Sequence, residues 1–129
     1  MNRWLGKQSE WIYAAMRMVV GLLFACHGAQ KLFGVLGKEA RISDPQALVA
    51  GIIEFGGGLM VALGLWAGIA AFLSSGLMAV AYFKAHAPRG FIPIVNRGEL
   101  AVVYSFVFLY IASKGSGILS IDALLGRRK

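Results

Sequence analysis

The chain has 129 residues, of which 58% are hydrophobic and only 15% charged, with a single cysteine and a formal charge of +7. That is the length of one domain with too little charge for a soluble one, so a membrane protein is expected. The basic residues lie between and beside apolar runs instead of along one polar face, which argues against nucleic acid and for anionic lipid headgroups as the counter-charge, and Cys26 alone supplies neither an internal disulfide nor a CxxC pair.

In chain order, Arg3 and Lys7 precede apolar residues as in a signal peptide, but Arg17 interrupts the run and no clean cleavage site follows, so the segment is read as retained. Four spans are expected, about 11–33, 47–65, 67–86 and 99–115. Each is near the ~20 residues that cross ~30 Å of hydrocarbon, and the fourth needs Glu99 and residues after Ser113 to reach that length. Spanning backbone must satisfy its own hydrogen bonds, and alternating polarity is absent, so the expected fold is an all-α transmembrane four-helix bundle in a single membrane domain, residues 1–129.

The connections differ in character. Residues 34–46 are polar, with Pro45 suited to a helix start. "GLWAG" is short enough to force a tight antiparallel hairpin, and Gly64 and Gly68 in it serve either close helix approach or the reversal itself. "APRGFIPIVNRG" carries two prolines and two glycines and cannot be a membrane helix. "KGSGILSIDALLGRRK" reads as a glycine-broken stop, a short amphipathic piece and a basic end. Four spans put both termini on one side, which carries Arg3, Lys7, Lys114, Arg127, Arg128 and Lys129. The opposite loops carry Lys38, Arg41, Arg89 and Arg97, a bias towards cytoplasmic termini.

This topology sets depth. His27 lies six residues before Phe33, and Glu54 about seven residues into the second span, so both fall ~10 Å below the loop-bearing face. Lys31, Lys84, His86, Asn96, Arg97 and Glu99 belong to the same leaflet or its rim. Lys31 shares a face with His27. Gly51, Glu54 and Gly58 share another, and glycines on that side let a neighbouring helix come close, which points Glu54 inward. Ser75, Ala79, Tyr82 and His86 form one stripe, and Glu99 shares its face with Val103, Phe106 and Tyr110, with Tyr104 rotated away by roughly 140°. The candidate ligand or proton-relay residues are therefore His27, Lys31, Glu54, Tyr82, His86, Asn96 and Glu99. At the other face, Arg17 is expected to form a structural ion pair with Asp122, with Glu10 as competitor.

Each of these has a plainer reading. Glu54 serves equally as a structural ion pair or protonated donor that fixes helix register. His27 and His86, on different helices without a defined spacing, make a poor metal signal, and no metal site is expected. Cys26 and His27 are adjacent on a helix and point about 100° apart, so they form no nucleophile–base dyad. Trp4, Trp11, Trp66 and Tyr13 fit interfacial anchors better than a cofactor box, and Lys84 and Arg89 fit snorkelling side chains at a span boundary.

"RMVVGLLFACHGAQKLFG", "EFGGGLMVALGL", "NRGELAVVY" and "GSGILSIDALL" resemble, in this order and over most of the chain, the DoxX family of small four-helix integral membrane proteins. "FKAHAPRGFIP" looks like one branch of it. The resemblance implies a bacterial cytoplasmic (inner) membrane and association with membrane oxidoreductases, since members are named after a subunit associated with a thiosulfate:quinone oxidoreductase, while most have no established activity. The expectation that follows is an oxidoreductase-associated subunit. It has no encoded cofactor, binds a quinone-like or other small hydrophobic ligand, and takes electrons from a redox partner subunit. The alternatives are a solute or proton transport component, which would require a homo-oligomer, and a non-catalytic assembly or scaffold protein.

Overall fold

The computed structural model describes residues 2–126, and among these there is no β-strand. A short α1 (Asn2–Lys7) leads into α2 (Ser9–Phe33), which ends on Gly34 in the left-handed conformation. The second crossing, Pro45–Leu63, consists of α3 (Pro45–Ile52), a π-helical turn Ile53–Gly57 and α4 (Gly58–Leu63). The third crossing, Ala67–Arg89, consists of α5 (Ala67–Ala81), a second π-helical turn Tyr82–His86 and a 3-10 turn Ala87–Arg89. After α6 (Pro93–Asn96) come α7 (Glu99–Lys114) and α8 (Ile121–Leu124).

Three of these helices, of 25, 19 and 23 residues, are long and apolar enough to cross a membrane. At 16 residues, or about 24 Å, α7 is the short fourth element of the bundle. The second crossing begins at Pro45 and the third runs to Arg89, each beyond its expected start or end. Asp44 accounts for the first shift: its side chain accepts from Gln46 N and caps a helix with proline at its first position. Val19, Leu23, Ile52, Ile69, Phe72 and Phe106 are each more than half exposed, an apolar jacket suited to acyl chains and not to water. The chain is an integral membrane protein.

Two different seams hold the bundle. Between α2 and the second crossing the seam is glycine. Gly21 and Gly28 are seven residues apart, as are Gly51 and Gly58 on the antiparallel partner, so the small residues recur on one face of each helix. A Cβ at Gly58 would lie 2.5 Å from Ala25 N, and one at Gly28 would collide with Phe55 N. Between α5 and α7 the seam is polar: Ser75 Oγ donates to Ser105 O at 2.7 Å, and Ser105 Oγ donates to Ser75 O at 3.1 Å. The core between the seams is aromatic, with Phe24 and Phe108 centroids 4.6 Å apart and Tyr104 against both.

The end that carries the termini is locked by buried polar groups. Arg17 is wholly buried, and its guanidinium is anchored on carbonyls: Leu119 O at 2.6 Å, with Ile118 O and Val61 O each at 3.4 Å. Asp122, also buried, accepts from Trp66 N at 2.8 Å and from Ser116 Oγ at 2.6 Å, while its own N–H donates to Gly64 O. Arg17 and Asp122 are thus two hydrogen-bonded centres, coupled through their opposite charges, that tie the tail to the turn between α4 and α5. Glu10 is exposed and takes no part. Gly64 has φ +72 and makes the reversal, with Ser120 against it, whereas a Cβ at Gly68 would lie 3.5 Å from Ala112 O of α7. Trp4, Trp11 and Trp66 are exposed at this end, but Tyr13 is buried and donates to Gly115 O at 2.7 Å, so it is a core residue and not an interfacial anchor. Arg127, Arg128 and Lys129, half of the positive charge expected on this side, lie outside the described residues.

Two stability tests follow from these contacts. Gly58→Val should cost about 3 kcal/mol or prevent folding, because the clash is with backbone on α2. Exchanging charges as Arg17→Glu with Asp122→Arg should not recover the stability lost in either single variant, because a carboxylate at 17 would face the carbonyls that now accept from the guanidinium. Thermal unfolding in detergent checks both.

Candidate functional site

Glu54 lies in the first π-helical turn, where one residue more per turn shifts the phase of the helix, and the carboxylate is 98% buried inside the bundle. Lys31 reaches it from α2, with Nζ 2.5 Å from Oε2, and stays partly exposed itself. The pair is possible because Gly28 and Gly51 let the backbones of the two helices touch one turn away. The second oxygen, Oε1, is buried and has no hydrogen-bond partner.

Above this carboxylate is a cavity of about 810 Å³ bounded by α2, the second crossing, the third crossing and α7. His27, Lys31, Glu54 and His86 all line it, so the layer inferred from topology does bring these four to one space. Its apolar wall includes Phe24, Leu77 and Met78. A second, shallower groove of about 550 Å³ shares Lys31, Arg41, Ala50, Leu77, Ala81 and Ala85 with the first and continues outward past Val49 and Val80, both more than half exposed. The cavity therefore communicates sideways, between the second and third crossings, with the surface that faces lipid.

The remaining candidates divide differently. Tyr82 and Asn96 are buried in the fold of the 87–98 segment. Asn96 Nδ2 donates to Gly90 O at 2.6 Å and to Tyr82 Oη at 3.0 Å, Asn96 Oδ1 accepts from Gly98 N at 2.8 Å, and the Tyr82 hydroxyl donates to Phe91 O. They hold the cap over the cavity and do not line it. Tyr82 and His86, four residues apart, stay on one face through the second π-helical turn, their rings stacked with centroids 6.3 Å apart. His86 Nδ1 donates to Asn96 O at 3.2 Å, which fixes the ring at the cavity wall. Glu99 is exposed at the first position of α7, outside the cavity, where a carboxylate complements the helix N-terminus.

Tyr104 is the main residue that phase reasoning from Glu99 passed over. The inward face of α7 runs through Tyr104, Phe108 and Ile111, at i, i+4 and i+7, and places Tyr104 against His27 with centroids 6.0 Å apart. That apolar spacing was the available signal. Lys38, Arg41, Arg89 and Arg97 also line the mouth. The 34–44 loop doubles back over α2 through Arg41 N to Lys31 O at 2.7 Å and Gln30 Nε2 to Leu36 O at 3.0 Å, a return that no local pattern indicates. Among the described residues no group of three or more His, Cys, Asp or Glu side chains could hold a metal.

The DoxX family description matches residues 12–87, more than half of the chain and the part that supplies His27, Lys31, Glu54 and His86. This chain belongs to the DoxX family. An uncharacterized protein of Haemophilus influenzae is 41% identical over 125 residues, covering 92% of this chain and 93% of the relative. No solved structure matches the chain.

The ion pair predicts a specific asymmetry in this DoxX protein. Lys31→Met should destabilise by about 3 kcal/mol because it strands a buried carboxylate, and adding Glu54→Gln should return most of that loss. Thermal unfolding of the two singles and the double reads it.

Proposed function

We propose that this DoxX protein is a ligand-binding subunit of a membrane oxidoreductase system in the bacterial cytoplasmic membrane, taking a quinone-like or other small hydrophobic molecule into the cavity above Glu54. One observation carries the reading: Glu54, whose carboxylate pairs with Lys31 and keeps a buried, unpartnered Oε1, lies in the wall of a cavity with a sideways opening towards lipid. A buried acceptor left unmatched costs about 1–3 kcal/mol, so a ligand that donates to it regains that amount on binding. An apolar molecule arriving from the bilayer would pass Val49 and Val80 and meet its polar partners only at the inner end, among Lys31, His27, His86 and Tyr104.

That set suits a quinone head. Lys31 and a histidine can donate to its carbonyls, and Glu54 can accept from a reduced hydroxyl or pass a proton. Electrons would come from a partner subunit, since the chain carries one cysteine and no metal-ligand cluster among its described residues.

The test is native mass spectrometry of the full chain released from membranes in mild detergent. The unmodified protein should retain a hydrophobic small molecule, and Glu54→Gln should fold with a similar melting temperature yet lose it. Equal occupancy in both proteins would remove Glu54 from the site. Collapse of Glu54→Gln alongside a ligand-free unmodified protein would leave the pair a purely structural lock.

A further inference from the structure

The charge at the cavity mouth is not accounted for by a neutral ligand. Five of the lining residues are Lys or Arg, namely Lys31, Lys38, Arg41, Arg89 and Arg97, and Glu54 is the sole acid. Lys31 is spent on Glu54, and Arg41 is partly spent on Asp44 at 3.2 Å. Lys38, Arg89 and Arg97 form no salt bridge with any described acid.

Their placement is built. Arg89 ends the 3-10 turn, and Arg97 holds a left-handed conformation with φ 63 immediately after Asn96, whose side chain is bonded on both sides of the 87–98 segment. Gly98 beside it is pinned as well, since a Cβ there would lie 2.8 Å from the rings of His86 and Tyr82. Lys38 and Arg41 come from the opposite loop, so cations from two separate connections surround one opening. Lys38, Arg41, Arg89 and Arg97 are exposed, so solvent screens their mutual repulsion, and they are free to turn towards an anion at the opening, as in the basic pockets between membrane helices that take anionic headgroups.

We infer that the ligand taken by this cavity carries a phosphate-type oxyanion with a hydroxyl group next to it: the oxyanion meets Arg89, Arg97 and Lys38, and the hydroxyl donates to the Glu54 carboxylate in the cavity wall. This rests on the cavity being a ligand site and names the ligand's chemistry. An anionic lipid headgroup satisfies it with its chains leaving through the gap between Val49 and Val80, and a free hydroxylated phosphate satisfies it from the aqueous side. Guanidinium groups favour this contact because they bind phosphate oxygens bidentately.

Thermal unfolding of the full chain in zwitterionic detergent tests the inference, titrated separately with dioleoyl phosphatidylglycerol, dioleoyl phosphatidylethanol, dioleoyl phosphatidylcholine, glycerol 1-phosphate and a neutral short-chain quinone. Phosphatidylglycerol should raise the melting temperature saturably, phosphatidylethanol should do so at higher concentration because it keeps the charge and lacks the hydroxyls, and phosphatidylcholine should not. Arg89→Gln with Arg97→Gln should raise the half-saturating phosphatidylglycerol concentration about tenfold or more, whereas Arg3→Gln with Lys7→Gln at the far end should leave it unchanged. A saturable response to glycerol 1-phosphate alone assigns the same anion site to a soluble source. Identical responses to phosphatidylglycerol and phosphatidylcholine, or an unshifted titration in the Arg89 and Arg97 variant, overturn the inference. If the quinone still stabilises the protein in that case, the hydrophobic-ligand reading survives while the anion does not.

Discussion

A carboxylate buried inside a membrane bundle needs a counter-charge within reach, and in this bundle Lys31 supplies it where two helix backbones come into contact. Lys31 and Glu54 sit on different crossings, and the lysine spans the gap because Gly28 and Gly51 remove the side chains that would hold those crossings apart. Glycine seam and ion pair are therefore one arrangement. The seam has little packing energy of its own to offer beyond close contact, while the pair would be unaffordable without it.

The two π-helical turns extend the same logic. One carries Glu54, the other runs from Tyr82 to His86, and both border the cavity. Regular helices at these positions would have kept Gly51, Glu54 and Gly58 in one stripe and Tyr82 and His86 in another. With the wider turns Glu54 still faces α2 and reaches Lys31, and the Tyr82 and His86 rings stack with centroids 6.3 Å apart, the tyrosine hydroxyl bonded into the cap and the imidazole at the cavity wall. Local irregularity of this kind is where a bundle gains a site without a loop.

The two ends of the molecule contrast. At the end bearing the termini, Arg17, Asp122, Ser116 and Ser120 are buried and hydrogen-bonded to backbone, so the tail is part of the packing. At the loop end, polar groups surround open space, and the buried Oε1 of Glu54 has no partner. A tail fastened to backbone at one end, with polar groups around open space at the other, is the division of labour expected of a scaffold that presents a site.

Much of this was legible in the chain itself. Spanning helices follow from apolar runs, because backbone in hydrocarbon has no other partner than itself, and the depth of His27, Lys31, Glu54 and His86 follows from counting residues at a fixed rise. Charge in a membrane also announces itself, so Arg17 and Asp122 were visible as buried groups, though not as groups bonded to carbonyls and backbone amides. What only the tertiary structure decided is everything that depends on helix phase and on chain return: the π-helical turns within the second and third crossings, the rotation of α7 that admits Tyr104 and leaves Glu99 outside, and the loops that carry Lys38, Arg41, Arg89 and Arg97 over the opening. Depth accumulates from local geometry and is readable from spacing. Phase shifts by a large angle with one inserted residue, and loop paths are set by hydrogen bonds to distant backbone, so neither is written in any short stretch of sequence.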